Sequence, residues 1–193
     1  PTELFNLDYS YGQVLGLFEL ENHADLLPNK DIIDSFNHFI NEYNTVFNMD
    51  VIVKYNLDTI NESIFNRNID KTIDELDDKI NLIKAKLDAI CRKFTKLLNQ
   101  EIDTYFKLEY NERDGYSLYA TSNRCKSLKT VFNNMHNKPI HLETIKGHAF
   151  DVNIAEITFK NTTASKTKLI SPLISELCSD YRILKMKIGV LCR

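Results

Sequence analysis

Apolar residues recur through the middle of the chain at steps of four and three, from Ile69 through Ile73, Leu76, Ile80, Ile83, Leu87, Ile90 and Phe94 to Leu97. This heptad spacing predicts a helix of roughly 30 residues, about 45 Å long at 1.5 Å per residue, with a seam that needs a covering partner. The same spacing returns near the C-terminus in Ile170, Ile174, Leu177, Tyr181, Leu184, Ile188 and Leu191, after a Ser171-Pro172 pair suited to a helix start. The expected fold is therefore mainly α, with two long antiparallel coiled-coil-like helices bracketing the centre of the chain.

Between the helices the period changes to alternation. Tyr105–Tyr110 and Tyr116–Ala120 read as strands, joined by Asn111-Glu112-Arg113-Asp114-Gly115, whose glycine can take a positive φ. A helix is expected from Asn123 to Met135, with Leu128, Val131, Phe132 and Met135 on one side and Pro139 as a stop. Further short strands are expected at Ile140–Ile145 and Ile154–Lys160. Together these form a small antiparallel β-sheet/α cap on the helical hairpin. Upstream, Ile32, Ile33, Phe36, Phe39, Ile40, Tyr43 and Phe47 fit an amphipathic helix, and Leu4–Leu20 reads as another in spite of Gly12 and Gly16. The expected organisation is a helical connecting segment (1–68), an ascending helix (69–104), an α/β insert (105–168) and a descending helix (169–193).

Composition supports helices: among 193 residues there are only 5 Gly and 4 Pro, and 43% of positions are hydrophobic, enough to bury a core. The net charge of −3 hides a polarity. Residues 1–78 carry 4 Lys and Arg against 16 Asp and Glu, whereas residues 79–193 carry 20 against 11. A basic second half fits a polyanionic partner, although charges also serve simply to solvate helix faces. Cys91, Cys125, Cys178 and Cys192 lack C-x-x-C spacing and read as reduced thiols. No apolar run approaches the ~18 residues of a membrane span, and the N-terminus lacks the pattern of a signal peptide, so a soluble protein is expected. A start at Pro1 and an end at Arg193 inside a helical pattern read as a piece of a longer chain.

Two acidic and aromatic stretches carry a family likeness. Asp74-Glu75-Leu76-Asp77 opens the long helix, and Leu108-Glu109-Tyr110-Asn111 precedes Gly115-Tyr116-Ser117-Leu118. With Thr121-Ser122-Asn123-Arg124 and the return from Lys160 to Ile174, this order resembles the lever and clamp region of the MutS family of DNA mismatch-repair ATPases. The likeness covers residues 62–193 well and 1–61 only loosely. The Asn-rich character and the Tyr110–Tyr116 hairpin are similar to the branch found in giant viruses and octocoral mitochondria. The resemblance implies a clamp that holds double-stranded DNA, a parent protein that binds ATP and Mg and acts as a dimer, and an intracellular location: host cytoplasm or virus factory if viral, the mitochondrion if of octocoral type. It implies no cofactor for these residues, and no catalytic site: the chain has neither a G-x-x-x-x-G-K-[ST] loop nor a recognisable Phe-x-Glu mismatch-reading motif.

In such a clamp the contacts go to phosphates, which position a protein on DNA without reading sequence. The candidates are Arg113 at the hairpin tip, Arg124, Lys126 and Lys129 after the second strand, and Lys166 with Lys168 on the returning strand. Each reads equally well as an ordinary solvated cation. Cys125, His136, His141 and His148 lie within a short span, but their irregular spacing argues for ordinary hydrogen bonding rather than zinc. Phe106, Tyr116 and Tyr119 could stack on bases, yet alternation favours a place in the core. A different class of function, a coiled-coil scaffold binding a protein partner, stays open at this point.

Overall fold

A computed structural model describes residues 2–20, 27–56, 58–100, 105–136 and 138–193. The elements in order are α1 (Thr2–Leu20), α2 (Lys30–Val46), α3 (Met49–Ile52), α4 (Lys71–Leu97), β1 (Lys107–Asn111), β2 (Gly115–Thr121), α5 (Ser122–Asn134), β3 (Ile140–Glu143), β4 (Ala149–Val152), β5 (Thr158–Asn161), β6 (Lys166–Ile170) and α6 (Pro172–Leu191). They divide into two compact units, one of residues 1–77 and 185–193, the other of residues 78–184.

The helices begin where side chains can satisfy their free amides. Asp70 Oδ1 accepts from the Ile73 N–H at 3.0 Å ahead of α4, and Ser171 Oγ accepts from the Ile174 N–H at 3.1 Å in the first turn of α6. In the first unit, Ile40 and Tyr43 are the buried positions of α2, and Phe47 pairs in a β-bridge with Phe65. Asn66 Nδ2 ties this turn by donating to the carbonyls of Asn44, Thr45 and Phe47. Near the end of α6, Gly189 meets the chain so closely that a Cβ there would stand 2.3 Å from the Ile60 carbonyl oxygen.

The second unit holds a four-stranded antiparallel sheet in the order β1-β2-β6-β5 and a separate β3-β4 hairpin. β1 and β2 form the expected hairpin, turning through Gly115 at φ +70°. One sheet face is apolar: Leu118, Ala120 and Leu169 join Cys125, Leu128 and Phe132 of α5, Leu87, Ile90 and Phe94 of α4, and Ile174 and Leu177 of α6 in one core. Phe94 sits at its centre, edge-on to Phe106 at 5.8 Å and to Phe132 at 5.4 Å between ring centroids. Phe106 is buried in this core and Tyr116 is half-buried against Tyr181, 4.7 Å away, so these two serve the unit's packing; Tyr119 is also buried, but on the other side of β2 from Leu118.

The expected fold class is overturned. Among the described residues no coiled-coil hairpin of long lever helices is shown; they combine six helices with a four-stranded antiparallel sheet. Within the second unit, α4 and α6 each lay their stripe on a common α/β core shared with the sheet and α5. Four-three spacing marks the buried stripe of any amphipathic helix and does not say what covers it. Buried Ala89, Cys91 and Thr95 widen the α4 stripe beyond two positions per heptad. The continuation of the first long helix expected over 101–104 lies outside the described residues. The strand expected from Ile154 begins only at Thr158, because Asn153 Oδ1 caps a single 3-10 turn at Ile154–Glu156.

Candidate nucleic-acid interface

Antiparallel pairing turns two separate stretches of sequence into one basic surface. Lys107 of β1 lies opposite Tyr119 of β2, Tyr119 opposite Lys168 of β6, and Lys168 opposite Lys160 of β5. Side chains directly opposite one another share a face, so these four positions form a row across the polar side of the sheet. Lys166, two residues before Lys168, lies on the same side. Glu109 is the single acidic strand residue there, among the described residues, and its carboxylate is ion-paired with the Lys166 ammonium. Lys160 and Lys168 face each other as like charges, an unfavourable cross-strand pair in the absence of an anion.

The row spans about 14 Å, three gaps of about 4.8 Å. A single nucleic-acid strand carries one charge per ~3.4 Å of helix axis, so the row can meet more than one phosphate. Beside it opens a pocket of about 450 Å³ lined by Tyr105, Lys107, Glu109, Tyr119, Arg124 and Lys166 among others. Its aromatic floor holds cations in place: the Lys166 ammonium lies 4.5 Å from the centroid of the Tyr119 ring.

The structure divides the six cations singled out from sequence. Lys166 and Lys168 are half-buried on the polar sheet face. Arg124, half-buried, stacks with Cζ 3.7 Å from the Tyr105 ring centroid and donates from Nη1 to the Tyr105 carbonyl at 3.1 Å. It borders the pocket, with part of its hydrogen-bonding capacity already used. Arg113 is exposed in the turn between β1 and β2, where its backbone N–H donates to Asn111 Oδ1 at 2.9 Å. Lys126 and Lys129 are exposed on α5, off the side that buries Cys125, Leu128 and Phe132, so they do not join the row. Lys107 and Lys160 are not among those six, yet the register places them in the row. Each looks like any strand lysine until the pairing register sets Lys160 opposite Lys168 and Lys107 across Tyr119 from it.

The thiols lie inside the fold, and one of the three histidines singled out from sequence has a side-chain partner. All four cysteines are free and buried. Burial pushes the Cys178 thiol up to about 11, with the nearby Lys168 charge pulling the other way. His141 Nδ1 lies 2.8 Å from Asp151 Oδ1 across the β3-β4 hairpin. Among the described residues, no group of three or more His, Cys, Asp or Glu is placed to hold a metal ion, and no helix is long and apolar enough to cross a membrane.

No family model matches the chain. It is similar to a protein of Acanthamoeba polyphaga mimivirus named a DNA mismatch repair protein MutS homolog, with 24% identity over 188 residues, 91% of this chain. The chain spans 16% of the length of that relative, and at this identity the likeness reaches a MutS-related protein and no finer assignment.

Proposed function

We propose that this chain is a segment of a MutS-type mismatch-repair protein, and that the polar face of its four-stranded sheet rests on the backbone of duplex DNA without reading sequence. The observation that carries the reading is the row Lys107, Lys168 and Lys160, in which two lysines stand directly opposite each other on a face with one acidic strand residue. Such an arrangement is costly alone and favourable beside phosphates. The charge of the two units points the same way: the unit of residues 78–184 carries 17 Lys and Arg against 12 Asp and Glu, and the other carries 7 against 15. The likeness to the mimivirus protein supplies the mismatch-repair context. In this reading the segment has no catalytic site of its own, and ATP, Mg and dimerisation belong to other parts of the parent protein.

The test is fluorescence anisotropy of the 193-residue chain with a labelled duplex, either fully matched or carrying one mismatch. Three neutralised phosphates give a slope of log K against log salt near −2.7, or about 40-fold weaker binding between 50 and 200 mM salt. Changing Lys107, Lys160 and Lys168 together to Glu should abolish that dependence and weaken both duplexes equally. Binding insensitive to salt and to the triple substitution would refute the reading and favour a protein partner. So would a changed mismatch preference with general affinity intact.

A further inference from the structure

A second cationic feature lies between the β1-β2 turn and the first half of α6, within the unit of residues 78–184. It is a recess of about 170 Å³. Lys168 borders it from the sheet and Arg182 from the helix. Among the described residues neither cation makes an ion pair with a carboxylate. Asp114 also lines the recess. Ser175 and Ser179, one helical turn apart and seven and three residues before Arg182, bring two exposed hydroxyls along the same edge of α6. Gly115 makes the closure possible: a Cβ there would stand 3.2 Å from Arg182 Cδ and 3.5 Å from Nη1, so the guanidinium lies against a bare backbone. Two cations without a carboxylate partner among the described residues, one from the sheet and one from the helix, and two hydroxyl donors in an open recess are the complement of a tetrahedral oxyanion.

We propose that this recess is a phosphate seat, held by Lys168 and Arg182 with the hydroxyls of Ser175 and Ser179, and that Asp114 at its rim opposes occupancy. Resting on the DNA reading above, it takes one backbone phosphate at the end of the sheet, beside Arg113 in the turn. A free phosphate or phosphomonoester presents the same chemistry and is distinguished by the experiment.

The 15N-labelled chain is titrated with inorganic phosphate, with chloride at equal ionic strength as control, and separately with a short blunt duplex. The amides of Gly115, Ser175 and Ser179 are followed. Both phosphate and duplex should move them, chloride should not, and Arg182→Gln should erase the phosphate response while lowering the salt slope of duplex binding by about 0.9. Asp114→Asn should tighten phosphate binding severalfold; because it removes a charge from an exposed turn, it also reports on the seat if Arg182→Gln disturbs the helix. Movement with phosphate but not with duplex supports the seat and assigns it a free phosphate group. If the duplex does not bind at all while phosphate still moves these amides, the DNA reading falls and the seat stands. Duplex binding that needs Lys107 and Lys160 while these amides ignore both ligands overturns the seat and leaves the DNA reading intact.

Discussion

Replacing Phe94 by Ala tests whether the long stripe of α4 is the wall of an α/β core. Phe94 is fully buried, and two rings meet it edge-on, Phe106 with planes at 76° and Phe132 at 68°. A buried aromatic removes about 200 Å² from water, worth about 5 kcal/mol at ~25 cal/mol per Å². Truncations of this kind cost about 3–5 kcal/mol, and each edge-on pair adds about 0.5–1.5 kcal/mol beyond burial. The expected loss is therefore about 4–5 kcal/mol, read as a fall in the urea midpoint by far-ultraviolet circular dichroism. For a unit of roughly 100 residues this corresponds to a melting temperature lower by on the order of 20 °C. Ile183→Ala, at a position 56% exposed on α6, is the control and should stay within about 0.5 kcal/mol. A double-mutant cycle pairing Phe94→Leu with Phe132→Leu should return a coupling of about 0.5–1.5 kcal/mol. A Phe94→Ala loss below about 1.5 kcal/mol, or zero coupling, would show that these rings do not share a core.

Two further expectations concern the turn and the thiols. Gly115→Ala combines a positive φ with the close approach of Arg182, and should cost about 1–2 kcal/mol in chemical denaturation; Gly115→Asn, better tolerated in the left-handed region, should cost less on the backbone side. Burial raises the Cys91 thiol from 9.0 to about 12, with Asp88 and Cys178 adding to the effect, and raises Cys125 and Cys178 to about 11. Because the folded chain holds these protons more tightly than the unfolded one, their contribution to stability is complete below pH ~9 and is lost as pH rises toward 11–12. Thermal melts should fall across that window. At pH 8 the native thiols should resist iodoacetamide and react only with unfolding; rapid alkylation of Cys91 in the native state would contradict its burial.

The local signals in the sequence were strong where chemistry is local. Asn111 through Gly115 announced a turn, and the hairpin formed because a positive φ at Gly115 lets the two alternating runs meet in antiparallel register. Thr121 caps α5, accepting from the Arg124 N–H at 3.4 Å, close to where the helical period sets in. The stripes of α4 and α6 were legible as buried faces for the same reason: residues three and four apart necessarily share a side of a helix.

What covers those faces was decided only by tertiary structure. A heptad-spaced stripe is equally satisfied by another helix or by a sheet, and here Leu118 and Leu169 of the sheet, Phe106 just before β1, and Leu128 and Phe132 of α5 share one core with the stripes of α4 and α6. The same holds for the site. Lys107 and Lys168 are 61 positions apart in the chain, and neither spacing nor composition links them; the β1-β2-β6-β5 order does. Sequence by itself determined that the second half would be basic and its helices amphipathic, because charge and periodicity are properties of nearby residues. Which cations share a surface depended on strand register, and register is set by the whole core at once, since a slip of one residue would turn the lysine row inward and Leu118 and Leu169 toward solvent.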